Sequence, residues 1–237
     1  MSRAISEEFQ EPVLCIDLGC LQSFGGRSNL ELAYYNGMGE KGDNKYNLYN
    51  IDEMENFSER LTVYNKENFN IILFEDLCKL YNEIRGKGYG PRDIIDEIIK
   101  TGRYKYIIGN CDRIDYLQVG MREAFIGIAD KIIIPISDKV YDMEGALVTI
   151  EDLLNYYDKI SILSFIKVTD NDIKCFIENK NKLYGKSMKI IKTKIPQKNN
   201  YINKHKEAKH IYDVNYYKQI RKAFNKIAYE LIKDSIV

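Results

Sequence analysis

Residues 14–32 read LCIDLGCLQSFGGRSNLEL. The apolar run Val13–Asp17 leads toward Gly25-Gly26-Arg27-Ser28, in the order strand, glycine turn, helix that a phosphate-binding loop requires. That loop's pattern, GxxxxGK[ST], needs glycine at position 21 and lysine at position 27, where Leu21 and Arg27 stand. Gly185-Lys186-Ser187 fails the same test, because Lys180 occupies the first glycine position and a helical pattern precedes it. Neither segment is a phosphate loop.

Outward from that strand, short runs rich in Ile and Val alternate with longer amphipathic stretches. Strands are expected at Val13–Asp17, Asn70–Phe74, Tyr106–Gly109, Lys131–Ile136, Ile160–Val168 and Met188–Ile195. Their continuous apolar character suits parallel strands covered on both faces. Helices are expected at Glu75–Arg85, Pro91–Thr101, Tyr116–Ala129, Glu144–Tyr157 and Asn171–Tyr184, the last stopped by Gly185. A closing helix places Val214, Tyr217, Ile220, Phe224, Ile227 and Leu231 on one face, and Ser2–Gln10 reads as the tail of another helix. The polar stretch Gly37–Asn56 reads as a long surface loop. The pattern implies one three-layer α/β domain over residues 1–237 with a mostly parallel sheet.

The 237 residues are 45% hydrophobic and 30% charged, a balance that excludes disorder and gives no transmembrane segment of 18 uncharged apolar residues. Five cysteines with no CxxC spacing read as reduced thiols of a cytoplasmic protein. His205 and His210 are five apart, about 140° around a helix, which argues against a zinc site. A net charge of zero conceals a split: from Lys174 onward 16 Lys and Arg face 5 Asp and Glu, a net of +11, leaving −11 before it. Such a segment suits nucleic acid or an acidic partner, and equally a solvated lysine face.

Three stretches, in order, carry a resemblance: YKYIIGNCDRIDYL (104–117), ADKIIIPISDKVYDMEGALVTIEDLL (129–154) and KTKIPQKNNYINKHKEA (192–208). Together they resemble the ParA/MinD superfamily of deviant Walker-A ATPases, which includes Soj. The likeness runs from Val13 nearly to the end. Ile107–Cys111 corresponds to the Walker B strand and Ala129–Ile136 to the strand after it, with Glu144-Gly145 opening the next helix. Ile195-Pro196 corresponds to the strand end near adenine. VLCIDL then resembles the family's second strand, which follows the P-loop, so the P-loop strand and its KGGxGKT turn are expected to be missing.

That correspondence makes several departures visible. The second strand of the family carries Asp-x-Asp, and this chain has Asp17-Leu18-Gly19, so Gly19 replaces the carboxylate that positions the attacking water. Asn110 stands at the Walker B aspartate, with Asp112 and Asp115 only on the loop beyond. No catalytic residue and no metal ligand is therefore assigned, with Asp17, Gly19 and Asn110 as vestiges, and no cofactor is expected. ATP and Mg²⁺ follow from the resemblance alone, with Pro196 and Gln197 at the adenine edge. The sequence VLCIDLGCLQSF is similar to CpaE/TadZ-type members that position pilus secretion machinery.

The resemblance leaves open a non-hydrolysing partition, positioning or pilus-machinery scaffold, a partitioning ATPase whose N-terminal P-loop portion lies outside this chain, or a remnant without selected function. The implied partners are nonspecific DNA, a protein of partition or pilus type, and a second copy of the chain. Lys192, Lys194, Lys218, Arg221, Lys222 and Lys226 are the candidate DNA contacts, with Lys198, Lys204, Lys206 and Lys209 clustered near the first two. Because the P-loop strand is central in the family, its loss should leave Val13–Asp17 or Tyr106–Gly109 with an unpaired edge.

Overall fold

In the computed structural model, β1 (Val13–Asp17) forms where expected, and all five of its residues are buried. The structure describes residues 1–18, 45–47, 62–66, 69–111, 119–137, 140–154, 160–164, 189–196 and 218–233. β1 follows α1 (Ser2–Phe9), in which Ala4 and Ile5 are buried and Arg3 pairs with Glu7 at 2.9 Å. Further strands are β2 (Lys45–Asn47), β3 (Thr62–Lys66), β4 (Phe69–Ile72), β5 (Tyr106–Asn110), β6 (Ile132–Ile136), β7 (Ile160–Ser164) and β8 (Lys189–Ile190). The helices are α2 (Phe74–Ile84), α3 (Pro91–Lys100), α4 (Val119–Ile128), α5 (Val140–Leu154) and α6 (Lys218–Lys233).

Described residues up to Ile126 make one compact unit, and those from Gly127 to Lys233 make another. The first holds a five-stranded sheet in the order β2-β3-β4-β1-β5. β1 pairs in parallel with both β4 and β5, with Cys15 opposite Ile71 on one side and Ile108 on the other. β2–β3 and β3–β4 are antiparallel, and Lys66 stands opposite Phe69. Val13, Leu14, Ile16, Ile71 and Ile72 fill the sheet's interior, and Leu77, Ile84, Ile94, Ile95 and Ile98 are buried helical residues. Fully burying each such side chain is worth about 1.5–3 kcal/mol.

α3 shows how local chemistry sets a boundary. Pro91 occupies the first helical position, where its missing N–H costs nothing. The Gly90 N–H donates to Asp93 Oδ2 at 2.7 Å. Ile94, Ile95 and Ile98 turn inward, while Arg92–Asp96 and Lys100–Glu97 pair on the outside.

The second unit holds three parallel strands in the order β6-β7-β8. The Ile191 N–H donates to Ile162 O at 2.9 Å, carrying the ladder one residue past β8. Ile134, Ile136, Ile150, Ile160, Ile162, Ile220, Ile227 and Leu231 are buried here.

The mostly parallel α/β class is as expected, and no strand corresponding to the P-loop strand occurs among the described residues. Of the two strands expected at an edge, β1 is paired on both sides and β5 ends its sheet. Several boundaries need correction. Phe74 begins α2 rather than ending a strand, and β8 covers only two residues of Met188–Ile195, with an isolated bridge at Ile195. Glu144-Gly145 lies inside α5, which is under way by Val140. The loop expected at Gly37–Asn56 contains β2, a polar KYN strand that pairs with β3 through backbone hydrogen bonds rather than apolar patterning. The helix expected at Asn171–Tyr184 and the end of the Ile160–Val168 strand lie outside the described residues.

Candidate functional site

The carboxyl ends of parallel strands are where open α/β sheets bind ligands. Here Asp17, the last residue of β1, stands in register with Asn110, the last residue of β5. The Leu18 N–H donates to Asn110 O at 2.8 Å, locking the two ends together. Asp17 is 0% exposed and is engaged with its surroundings. Cys15 lies two residues earlier, on the same face of the strand. Burial pushes the Cys15 thiol above its ordinary range, partly offset by a hydrogen bond with Ser2, and the Asp17 carboxylate pushes the same way as burial. A Cβ on Gly109 would lie 2.5 Å from Cε1 of Phe125 on α4 and 2.9 Å from Leu18 Cδ1, so a side chain there would force these groups to shift.

This arrangement brings together the vestigial residues Asp17 and Asn110. Gly19, Asp112 and Asp115 lie outside the described residues. One buried carboxylate and one neutral amide, among the described residues here, do not by themselves supply what Mg·ATP calls for, anionic oxygens around the metal and cationic or N–H donors around the phosphates. Among the described residues no three His, Cys, Asp or Glu side chains gather closely enough to hold a metal ion.

A second region centres on α6. Its buried stripe is Ile220, Ala223, Ile227, Ala228 and Leu231, while Lys218, Arg221, Lys222 and Lys226 are exposed. Phe224 is half-buried, and Val214 and Tyr217 lie outside the described residues. Lys192 is exposed beyond β8, and Lys194 is half-buried and engaged with a neighbour, as is Arg221 with its own. Ile195 is buried and Pro196 half-buried, while Gln197 and Lys198, Lys204, Lys206 and Lys209 fall outside the described residues. Segments 189–196 and 218–233 together carry eight Lys and Arg and one carboxylate, Glu230. That carboxylate accepts the Lys192 N–H at 2.9 Å, the Thr193 N–H at 3.1 Å and the Thr193 hydroxyl. Lys131 Nζ donates to Leu231 O in the same last turn, and burial, with Lys189 nearby, lowers its ammonium's pKa.

Neither a protein-family model nor a curated protein sequence matches the chain. Among solved structures it is similar to a chain of the MinC:MinD cell division protein complex of Aquifex aeolicus, with a TM-score of 0.64 and 17% identity over 98% of this chain and 87% of that one. A ParA family ATPase from Chlorobium tepidum follows at a TM-score of 0.53 and 15% identity, covering 96% of this chain and 89% of that one. A plasmid partition protein from Borrelia burgdorferi matches at 0.53 and 16%, covering 98% and 91%. The chain has a ParA/MinD-like fold.

Within the ParA/MinD-like fold, β5 lies in the first of the stretches that carried the resemblance and β1 is the strand then matched to the family's second strand, and their ends meet in register. Glu230 and Lys131 were not singled out from the sequence. The only signal available was an isolated acid within a basic segment, which says nothing about backbone N–H partners. No described helix of this ParA/MinD-like chain is long and apolar enough to cross a membrane.

Proposed function

We propose that this protein is a ParA/MinD-fold scaffold that does not hydrolyse ATP and serves partition, positioning or pilus machinery, within a CpaE/TadZ-like branch. The observation that carries the reading is neutral Asn110 in register with wholly buried Asp17, where nucleotide chemistry would need charge. With an amide, Asn110, where the metal carboxylate would stand, the developing charge of phosphoryl transfer loses one of its main stabilisers. The test is steady-state turnover of Mg·ATP. No turnover above the buffer blank is expected, and Asn110→Asp alone should not restore it. Turnover at the level of an ordinary partition ATPase, abolished by Asp17→Asn, would overturn the reading.

Residues 1–237 are proposed to work as one domain, which the 98% coverage by a single solved chain supports. Its partner side is proposed to be nonspecific nucleic acid, with a partition- or pilus-type protein or a second copy of the chain as further partners. Eight cations against one engaged carboxylate support the nucleic-acid assignment. The apolar stripe of α6 is buried in the protein's own core, so this helix has no apolar face to insert into a lipid surface. Binding of random-sequence duplex should fall steeply with salt, because phosphate contacts release counterions. The triple variant Lys218→Glu, Lys222→Glu, Lys226→Glu should abolish it. Undetectable parent binding at low salt, or binding unchanged in the variant, rejects the surface.

A second reading retains ATP, with a P-loop strand outside this sequence adding beside β5. It is favoured by β5 itself, which ends its sheet and is half-buried at every residue while β1 is buried throughout. An upstream in-frame strand followed by KGGxGKT, with turnover in the extended protein, would decide for it.

A further inference from the structure

Glu230 is the one carboxylate in the described basic segments, and its location is electrostatically unfavourable. It occupies the last turn of α6, where the carbonyl end of the helix repels negative charge. Two backbone N–H groups and a hydroxyl from Lys192 and Thr193 hold it there. Successive N–H groups converging on one anion form a strong charge-assisted clamp. On the helix side, Lys226, Lys222 and Lys218 precede Glu230 at steps of four residues, so they stand one above another on neighbouring turns. The clamp therefore fastens exposed Lys192 at the end of this lysine row. Lys218, Lys222 and Lys226 have no partner among the described residues.

We propose that Glu230 is a positioning residue for a polyanion-binding surface, tying the Lys192–Thr193 backbone to α6 so that Lys192 extends the row Lys218, Lys222, Lys226. The inference rests on the nucleic-acid reading above and adds the device that organises that surface. It also reverses the sign that charge alone dictates. Deleting a carboxylate beside a polyanion should tighten binding by simple Coulomb attraction. Loss of a positioning residue should weaken it.

The experiment compares random-sequence duplex binding by the parent, Glu230→Gln, Glu230→Ala, Lys192→Ala and the Lys192→Ala/Glu230→Gln double variant across a salt series. Glu230→Gln keeps the size and one acceptor oxygen, so it serves if Glu230→Ala does not fold. Affinity of the Glu230 variants at low salt should fall by roughly threefold to tenfold, and the salt slope should shrink by about 0.9 for each phosphate no longer neutralised. Lys192→Ala should weaken the parent yet change the Glu230→Gln background little, the signature of a coupled pair. A merely structural glutamate would lower the melting temperature without moving the salt slope. Hydrogen exchange should show the Lys192 and Thr193 amides losing protection in Glu230→Gln. Tighter or unchanged binding by Glu230→Gln, or amides that stay protected, overturns the positioning role even when the triple lysine variant confirms the surface. A parent that binds no duplex rejects the surface and the positioning role together.

Discussion

A methyl group on Gly109 would press on the Phe125 ring and on Leu18 Cδ1, at separations that real Cβ atoms essentially never show. Glycine is demanded here by the close approach of α4 to β5, and the chain's φ has no part in it. Gly109→Ala should destabilise the fold by about 1–3 kcal/mol, the usual cost of overpacking, while Phe125→Leu in the same background should recover part of the loss. Denaturant titration checks both, and an unchanged midpoint for Gly109→Ala would contradict the packing. Cys15 provides a pH signature two residues from Asp17. Its thiol pKa is raised in the folded state, chiefly by burial. Above the unfolded thiol's pKa, about 8.5, the unfolded chain has lost a proton that the native chain still holds. Stability is thus complete below that pH and declines as pH rises toward the folded value. Cys15→Ala should be less stable at neutral pH through its cavity, but with a flatter alkaline decline. Equal alkaline slopes for the two proteins would show that Cys15 is not the group responsible.

At the scale of elements, what the sequence revealed followed burial. β1, β5, β6 and the start of β7 are built on short runs rich in Ile, Val and Leu, so their positions were legible to within a residue. α3 was legible from Pro91 and the 94, 95, 98 spacing. β2 was not, because a three-residue polar strand is held by its antiparallel ladder to β3 and leaves no apolar signal. The start of α5 was displaced because Glu144-Gly145 looks like an N-terminal signal although the helix is already formed before it. Asp17 and Asn110 could be picked out by resemblance, but their register became visible only with the sheet. The Glu230 clamp was hidden because its donors are backbone groups, which every residue has. For α3 the expected outcome is local: Asp93→Ala removes the acceptor of the Gly90 N–H and should cost about 0.5–2 kcal/mol. Arg92→Ala, on the exposed Arg92–Asp96 pair, should cost less than about 1 kcal/mol. Thermal melts of the two variants rank the effects, and a larger loss for Arg92→Ala would mean that the cap contributes little.

Over the whole molecule the dominant quantity is the charge split, −11 before Lys174 and +11 after it, on a chain whose net charge is zero. A neutral total offers no mutual repulsion to keep copies apart, and segments of opposite sign attract between molecules. Such attraction reaches about 30 Å at 0.01 M salt and only about 8 Å at 0.15 M. The end strand β5 offers another route to association, through the edge it leaves open among the described residues and through half-buried Ile107 and Ile108. The two routes respond oppositely to salt: screening weakens charge pairing and leaves strand pairing intact. Charge should dominate here, since the split involves the whole chain and β5 is only five residues long. Sedimentation velocity across a salt series should then show a mass that grows with protein concentration at 0.01 M and settles to a constant value at 0.15 M. The triple Lys218→Glu, Lys222→Glu, Lys226→Glu variant removes six units from the positive segment and should weaken low-salt association while adding net negative charge. Association that persists or strengthens with salt, and that Ile108→Lys relieves when the triple variant does not, would assign it to the β5 edge instead.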